Sequence, residues 1–345
     1  MRRSWMWALS VVSAAAGIAV AFSAGPIIAQ QQQHVLVAKK VAAAPVLDGE
    51  VDGLWQQAAP LSFKVVGGAN LPGGTSDVTM RSVYTEDTVY FLVQYKDPTQ
   101  SFRRNPWVKQ ADGSWKQLKD PNDKGGDNNL YYEDKVAILW NINSPAFAAN
   151  GCFSTCHVGE PGKPYGNKYT ANPGERLDLW HWKSVRTGSV GQMDDQWVDN
   201  TRYDKEKAPE ADRKSDPKTG GGYVDNVRED KKGPKFALKA NKPAPPYWIL
   251  DAEKEPFDDS KYKAGDEVPG IIVAPFSGDR GEVAIASAWK DGTWTLEIAR
   301  KRVTGSEYDV QFNDLKKEYA FGLAVFDNAQ VRHAYNMGAL KLVFQ

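Results

Sequence analysis

The chain has two cysteines, which lie four positions apart and are followed directly by a histidine. The run reads Cys152-Phe153-Ser154-Thr155-Cys156-His157. Two thiols this close together can form thioether bonds with the two vinyl groups of one porphyrin, and the adjacent imidazole can reach the iron from the same side. The common attachment run has two residues between its cysteines, and the spacing of three is a known variant. The pattern predicts one covalent haem c, with His157 as the proximal iron ligand.

Two other kinds of site fit the same residues less well. In an oxidising compartment Cys152 and Cys156 could form a disulfide that closes a small loop, with His157 uninvolved. A zinc site would need a fourth ligand, and the sequence identifies none. Trp180 and Trp182 follow closely in the sequence, and such large flat side chains suit the walls of a porphyrin pocket. The local sequence therefore favours haem over a disulfide or zinc.

The sequence does not identify the sixth iron ligand. Electron-transfer haems usually have both axial positions filled, so a second ligand is expected. His181 and His333 are the preferred candidates, although either could equally be a structural histidine. Strand alternation in the run 180–183 puts His181 and Lys183 on one face and the two tryptophans on the other. The weaker candidates are Met193, Met337 and Lys183.

The elements that must position these residues are mostly strands. β-branched and aromatic runs separated by polar turns predict strands at 35–41, 78–84, 89–95, 134–142, 283–288, 293–300, 319–326 and 339–344. Trp294, Leu296 and Ile298 would share one face, and 290–292 would form a tight turn. Many strands and few, short helices predict a mainly β fold, an antiparallel β-sandwich.

Two segments interrupt the strand pattern. Residues 102–130 and 201–242 are rich in Gly, Pro and charge, which predicts solvated loop insertions in a single domain over 30–345. Glu133-Asp134 and Asp194-Asp195 are interpreted as surface carboxylate pairs, since nothing marks a general acid with a matching base.

The N-terminus has the order of an export signal. Arg2 and Arg3 precede an apolar run over 5–24, and small residues lead to Ala29. Residues 1–29 are therefore predicted to be a signal peptide, or else an uncleaved anchor that would hold the protein at the membrane. Either alternative predicts a periplasmic or otherwise exported protein.

Composition excludes several classes of protein. The chain has 345 residues with 43 basic and 43 acidic side chains, so its net charge gives no reason to expect nucleic-acid binding. Two cysteines are too few for a disulfide framework. Nucleophile-elbow, phosphate-loop and dinucleotide motifs do not occur in the sequence. Electron transfer is therefore favoured over catalysis by this chain alone.

Short motifs spread over residues 35–345 resemble a known family. They are Leu47-Asp48-Gly49 with Asp52 and Trp55, the strand 132–138, the run 180–183, and Trp289-Lys290-Asp291-Gly292-x-Trp294 before Arg300. The family is that of the haem-binding domain of the ethylbenzene dehydrogenase gamma subunit and its relatives, electron-transfer subunits of periplasmic molybdenum enzymes of the dimethyl sulfoxide reductase family. The resemblance implies a β-sandwich similar to a carbohydrate-binding module, with one haem at an edge.

The chain departs from that family at the haem ligands. Gamma subunits hold non-covalent haem b through Met and Lys, whereas Cys152, Cys156 and His157 resemble a c-type branch. The family's ligands are therefore not carried over. The insertion at 201–242 makes a free-standing cytochrome, or a subunit of another respiratory complex, at least as plausible as a molybdenum-enzyme subunit.

Two further functions remain as alternatives. One is a haem-free carbohydrate-binding module, with a Cys152–Cys156 disulfide and with Asp48, Trp55 and exposed tryptophans recognising sugar rings. The other is a haem sensor or haem enzyme with an open iron site.

Overall fold

The computed structural model describes residues 34–123, 130–155, 168–208 and 213–345. The strands in chain order are β1 (Val35–Lys40), β2 (Leu61–Val66), β3 (Thr75–Tyr84), β4 (Thr88–Lys96), β5 (Trp107–Lys109), β6 (Trp115–Gln117), β7 (Lys135–Asn141), β8 (Leu177–Lys183), β9 (Asp194–Val198), β10 (Lys214–Ser215), β11 (Gly220–Asp225), β12 (Phe236–Ala237), β13 (Ile249–Leu250), β14 (Glu255–Pro256), β15 (Glu267–Val268), β16 (Ile271–Ser277), β17 (Ala284–Lys290), β18 (Thr293–Lys301), β19 (Tyr319–Phe326), β20 (Ala334–Tyr335) and β21 (Leu340–Phe344). The described residues contain one short α-helix, α1 (Pro145–Asn150).

The predicted signal or anchor, residues 1–29, lies outside the described residues. Within the described ranges, no helix has both the length and the apolar character that crossing a bilayer requires.

One thirteen-stranded sheet forms the body of the fold. Its order is β10-β9-β8-β7-β19-β20-β2-β3-β4-β18-β17, and β1 and β21 join it through β3 and β19. Apart from the parallel pairs that β1 makes with β21 and β3, its strand pairs are antiparallel. The sheet folds over so that its two halves enclose one apolar core. The predicted antiparallel β-sandwich is confirmed.

Side-chain alternation explains how the core is filled. Along β18, Trp294, Leu296 and Ile298 all point inward and are at most 1% exposed, as the sequence predicted. The indole of Trp294 meets that of Trp182 on β8 edge to face, with ring centroids 4.9 Å apart. Phe91 of β4 contacts Trp140 of β7 in a tilted arrangement, with ring centroids 5.4 Å apart. Aromatic pairs therefore join the two halves of the sheet.

The turn between β17 and β18 is also as predicted. Lys290 pairs with Thr293, which leaves a two-residue loop. Asp291 and Gly292 have φ values of 50° and 72°, the left-handed conformation that a two-residue hairpin of this type requires at both positions.

The two segments predicted as solvated insertions contain ordered strands instead. β5 and β6 lie within 102–130 and pair with each other, and β15 pairs with β5 to complete a small second sheet. Trp107 of β5 is buried against Ala237, Tyr262 and Val268, and its indole nitrogen donates to the carbonyl of Asn226 over 2.7 Å. Neither segment could bury this apolar surface alone, but the segments contact one another and the chain that follows them.

The carboxylate of Glu297 binds the motif that contains Asp48, Gly49 and Trp55 near the start of the domain. The side chain of Glu297 on β18 is fully buried. One of its oxygens accepts from the backbone N–H groups of Asp48 and Gly49 over 2.9 and 2.8 Å. The other accepts from the indole of Trp55 over 2.7 Å. Glu297 therefore fixes the segment before β2 against the outside of the sheet.

We expect Glu297→Gln to lower the free energy of unfolding by about 2–4 kcal/mol. Glutamine keeps the shape but replaces one acceptor oxygen by an NH2 group, so one set of buried donors loses its partner. Urea unfolding followed by tryptophan fluorescence measures the change. The exposed Glu50→Gln serves as the control, and equal stability of the two variants would contradict this role for Glu297.

Candidate functional site

The end of α1 positions the first cysteine. Pro145 occupies the first turn of the helix, where its missing N–H has no cost. Gly151 ends the helix with φ 61°, and a Cβ at this position would lie 2.5 Å from the carbonyl oxygen of Gly338. Only glycine fits this close approach. Cys152 follows directly and is thereby held against the sheet.

Cys152 packs on the outer face of the half-sheet formed by β7, β8, β9 and β19. It is 7% exposed and belongs to a small apolar cluster whose other buried members are Leu139, Phe147, Leu177, Leu179 and Val198. A Cβ on Gly322 of β19 would lie 2.8 Å from its Sγ, so glycine there provides the room for the sulfur. Cys156 and His157 lie outside the described residues.

The two tryptophans predicted as pocket walls lie on the other side of this half-sheet. Trp180 and Trp182 are fully buried in the main core, where Trp180 lies 5.1 Å from the Trp140 ring. The strand that carries them separates them from Cys152. They follow the cysteines closely in sequence, but alternation along β8 turns them inward. A group bound at Cys152 would contact the His181 face rather than the two tryptophans.

His181 lies on the same face as Cys152. In the register of the sheet it pairs with Ala137 of β7, and Ala137 packs on the cluster that contains Cys152. The ring is 5% exposed and stacks on Phe326 with centroids 5.8 Å apart. A small side chain therefore separates the imidazole from the surroundings of the thiol.

The imidazole of His181 is neutral and has one nitrogen without a partner. Nδ1 lies 3.3 Å from the side-chain oxygen of Gln196, a contact that is a hydrogen bond in the tautomer with the hydrogen on Nδ1. Burial, together with the charges of Lys183 and Lys135, holds the pKa of His181 well below its usual value. Among the described residues no group hydrogen-bonds to Nε2. The lone pair on Nε2 is therefore available, which is the state in which a histidine ligates a metal.

His333 also contacts Phe326. Its ring centroid is 4.7 Å from that of Phe326 and 6.0 Å from that of Tyr335. Tyr335 in turn contacts Phe153, the neighbour of Cys152. Nδ1 of His333 lies 2.8 Å from the carbonyl oxygen of Val331. The structure therefore brings both histidine candidates to the face that carries Cys152.

The weaker ligand candidates have different surroundings. Met193 is fully buried in the main core, away from Cys152. The Nζ of Lys183 is ion-paired with Asp194 and lies 3.1 Å from the hydroxyl of Tyr223, so its lone pair is not available. Met337 is 52% exposed and precedes Gly338, the residue in close contact with Gly151.

Sequence reasoning missed a second lysine on this face. Lys135 of β7 is 2% exposed, donates to the carbonyl of Gln330 over 2.7 Å and lies 3.9 Å from the centre of the Phe326 ring. Burial lowers its pKa well below the usual value. In the sequence, Lys135 is the one lysine of a mostly apolar strand, and its distance of two residues from Ala137 puts the two on the same face.

The acidic pairs interpreted as surface groups are in fact fully buried. Glu133, Asp134, Asp194 and Asp195 all have 0% exposure. Cations next to Glu133 and Asp194 offset the energetic cost of burying these two carboxylates. Arg186 and Arg104 face Glu133, and Lys183 and Arg280 face Asp194.

The chain is only distantly similar to solved structures of carbohydrate-binding proteins. No curated protein sequence matches the chain significantly. A family 9 carbohydrate-binding module from Caldicellulosiruptor kristjanssonii in complex with glucose is 8% identical, with a TM-score of 0.33 over 90% of this chain and 95% of that chain. A protein from Bacteroides uniformis described as carbohydrate-binding is 10% identical, with a TM-score of 0.37 over 90% of this chain and 99% of that one. These TM-scores are too low to carry a conclusion about fold or ligand.

The family match, by contrast, covers most of the chain. A family model described as ethylbenzene dehydrogenase matches residues 52–338. The matched range includes β2 to β20, the α1–Cys152 segment and both histidine candidates. The chain belongs to the ethylbenzene dehydrogenase family.

Proposed function

We propose that this protein is an exported c-type haem protein that transfers single electrons to or from a periplasmic respiratory oxidoreductase. One observation carries the proposal: Cys152 and the unpartnered Nε2 of a neutral, buried His181 share one face of one half-sheet. A covalently bound haem would supply the one-electron iron couple, and the chain would supply attachment, ligands and surroundings.

The chain's first contribution is a fixed thiol. Cys152 is held by the glycine contact at Gly151 and by apolar packing on the sheet, so its sulfur has little freedom. The sequence adds Cys156 as the second thiol and His157 as the proximal ligand. A rigid attachment point limits the reorganisation that accompanies electron transfer.

The second contribution is a preoriented distal ligand, which we assign to His181. Gln196 fixes the tautomer through Nδ1 and leaves Nε2 for iron, the arrangement typical of histidine ligands with an outer hydrogen-bond partner. Phe326 stacks on the ring and limits its rotation. His333, which also contacts Phe326, is the matched alternative.

The third contribution is electrostatic. The buried ammonium of Lys183, although paired with Asp194, lies two residues from His181 on the same face. Positive charge in a low-dielectric setting disfavours the oxidised, more positive iron and so raises the reduction potential. Since Asp194 also pairs with Arg280, the net field at the site depends on this whole ionic group.

Family membership supports a redox partner, including a molybdenum oxidoreductase. The net charge of zero means that the field of the whole molecule gives little steering. We infer that a partner is recognised through a local surface patch. The family match is compatible with a subunit and with a free-standing carrier.

The carbohydrate-binding alternative has less support. It assumed that Trp55 and other tryptophans face solvent, but Trp55 is fully buried. None of the tryptophans in the described ranges is an exposed side chain. Trp115, Trp197, Trp248 and Trp289 are only partly exposed, so they offer less ring surface for stacking on a sugar than the alternative assumed.

We expect covalent haem in protein from a host that expresses the cytochrome c maturation system. The haem should stay with the protein after acid-acetone extraction, and Cys152→Ala should lower covalent incorporation at least about tenfold because one thioether bond cannot form. Ser154→Ala, in the same run, is the control and should keep its haem. Haem that is extracted completely from the unaltered protein would exclude covalent attachment.

We expect His181→Ala to convert a low-spin haem into a high-spin one that binds carbon monoxide rapidly, because the iron loses its sixth ligand. Absorption and magnetic circular dichroism spectra report this change, and added imidazole should restore the low-spin spectrum. His333→Ala is the matched control and should stay low-spin. The reverse outcome would identify His333 as the ligand. A high-spin spectrum of the unaltered protein would favour the alternative with an open iron site.

A further inference from the structure

Three aspartates meet at the end of the sandwich where several strands begin or end. Asp97 follows β4, Asp134 precedes β7 and Asp327 follows β19. Each is at most 4% exposed. One carboxylate oxygen from each lies within 4.8 Å of those from the other two. We refer to these residues as the Asp97 cluster.

Among the described residues, no positive side chain forms an ion pair with the Asp97 cluster. Within the described ranges, no Lys, Arg or His nitrogen lies within 4.0 Å of any of its carboxylate oxygens. Buried carboxylates elsewhere in the sheet do have such partners, as Glu133 has Arg186 and Asp194 has Lys183. An unpaired buried charge is costly, and three together are more so.

The groups that do donate to the cluster are neutral. Asp134 accepts from the backbone of Ser101 over 2.7 Å, from the backbone of Asn328 over 3.0 Å and from the indole of Trp294 over 3.1 Å. Asp97 and Asp327 accept from the backbone and hydroxyl of Thr99 over 3.0 and 3.1 Å. These bonds orient the carboxylates but leave their summed charge uncompensated.

A buried tyrosine with an unused hydroxyl points to a missing ligand. Tyr95 is 1% exposed, and its hydroxyl has no hydrogen-bond partner among the described residues. The charges of Asp134, Asp97 and Asp327 all act on this hydroxyl and, with burial, raise its pKa well above the usual value. Oδ2 of Asp97 likewise has no partner in the described part of the chain. Both unpartnered oxygens belong to groups at the cluster.

We propose that Asp97, Asp134 and Asp327 bind one Ca²⁺, with the Tyr95 hydroxyl beside it. Ca²⁺ takes carboxylate and other oxygen ligands at about 2.3–2.6 Å, so oxygens on one ion are at most about 5 Å apart. The separations in the cluster are within this limit. The ion would supply the positive charge that the described residues do not.

The ion would join the two halves of the sandwich. Asp97 comes from the half that contains β4, and Asp134 and Asp327 come from the half that contains β7 and β19. It would also fix Asn328, whose N–H donates to Asp134, at the start of the segment that leads to His333. This calcium site is independent of the haem proposal, because no residue of the cluster is a proposed haem ligand.

A second buried acidic group provides an internal control. Asp178, Asp195 and Asp309 have carboxylate oxygens equally close together, but the buried Arg300 lies against them, 2.7 Å from Asp309. Here the chain supplies one cation, although Asp178, Asp195 and Asp309 each keep an oxygen without a partner in the described part of the chain. We expect no ion at this second group, and Asp195→Asn is therefore the matched control for Asp327→Asn.

The test is calorimetric titration of CaCl2 into chelator-treated mature protein, together with thermal unfolding in Ca²⁺ and in EDTA. We expect one Ca²⁺ per chain and a Tm that is several degrees higher in Ca²⁺. Asp327→Asn should weaken binding at least about tenfold and remove the Tm difference, whereas Asp195→Asn should retain both. Because Ca²⁺ binds the deprotonated carboxylates, its affinity should fall at acidic pH, where protons compete for the same oxygens.

A second measurement, Tb³⁺ emission, uses only the unaltered protein. Tb³⁺ at the cluster would lie near Tyr95 and Trp294, so excitation of these aromatic rings should give Tb³⁺ emission that Ca²⁺ displaces and Mg²⁺ does not. The proposal is overturned if the unaltered protein takes up no Ca²⁺, if Mg²⁺ binds equally well, or if Asp195→Asn rather than Asp327→Asn abolishes binding.

Discussion

Strand β8 is covered on both of its faces, and the candidate site depends on that constraint. All seven of its residues are buried. Trp180 and Trp182 fill the core between the sheet halves, so the alternate residues, His181 and Lys183, face the outer layer. Because that layer also excludes water, each polar group there needs a partner inside the protein. A slip of one residue in register would exchange the two sets and destroy both the core and the site.

Buried charges maintain this register. One oxygen of Glu133 accepts from the backbone N–H groups of Val185 and Arg186, each over 3.0 Å, just after β8 ends. Arg186 also pairs with that carboxylate, and Lys183 with Asp194 holds the last residue of the strand. Such pairs add little net stability compared with apolar packing, but mispairing them would leave a charge unmatched in a low dielectric. They therefore act mainly by penalising alternative arrangements.

The sequence predicted those features that depend on local alternation. The strand at 319–326, the hairpin of β3 and β4 and the opposite faces of His181 and Trp182 all follow from a period of two. What could not be predicted depends on contacts between distant segments. The acidic pairs looked like surface groups because their cations, such as Arg280 for Asp194, are far away in sequence. The strands in the charged segments likewise exist only because separate segments pair with each other. Attachment through Cys156 and His157 remains a prediction.

β17 is the last strand of the sheet, and the beginning of its outer edge is already hydrogen-bonded. Gln192 forms a bridge with Ala284, and backbone bonds join Met193 to Val283 and Ile285 to Gly191 over 2.9 and 3.0 Å. The chain leading into β9 thus completes the hydrogen bonds at the beginning of the strand that ends the sheet. An incoming protein could not extend the sheet there by adding a strand. Recognition at the beginning of β17 would have to rely on side chains and loops, whose contacts are weaker and more readily broken. Brief encounters of that kind would suit the proposed electron-transfer function, in which each partner is released after every exchange.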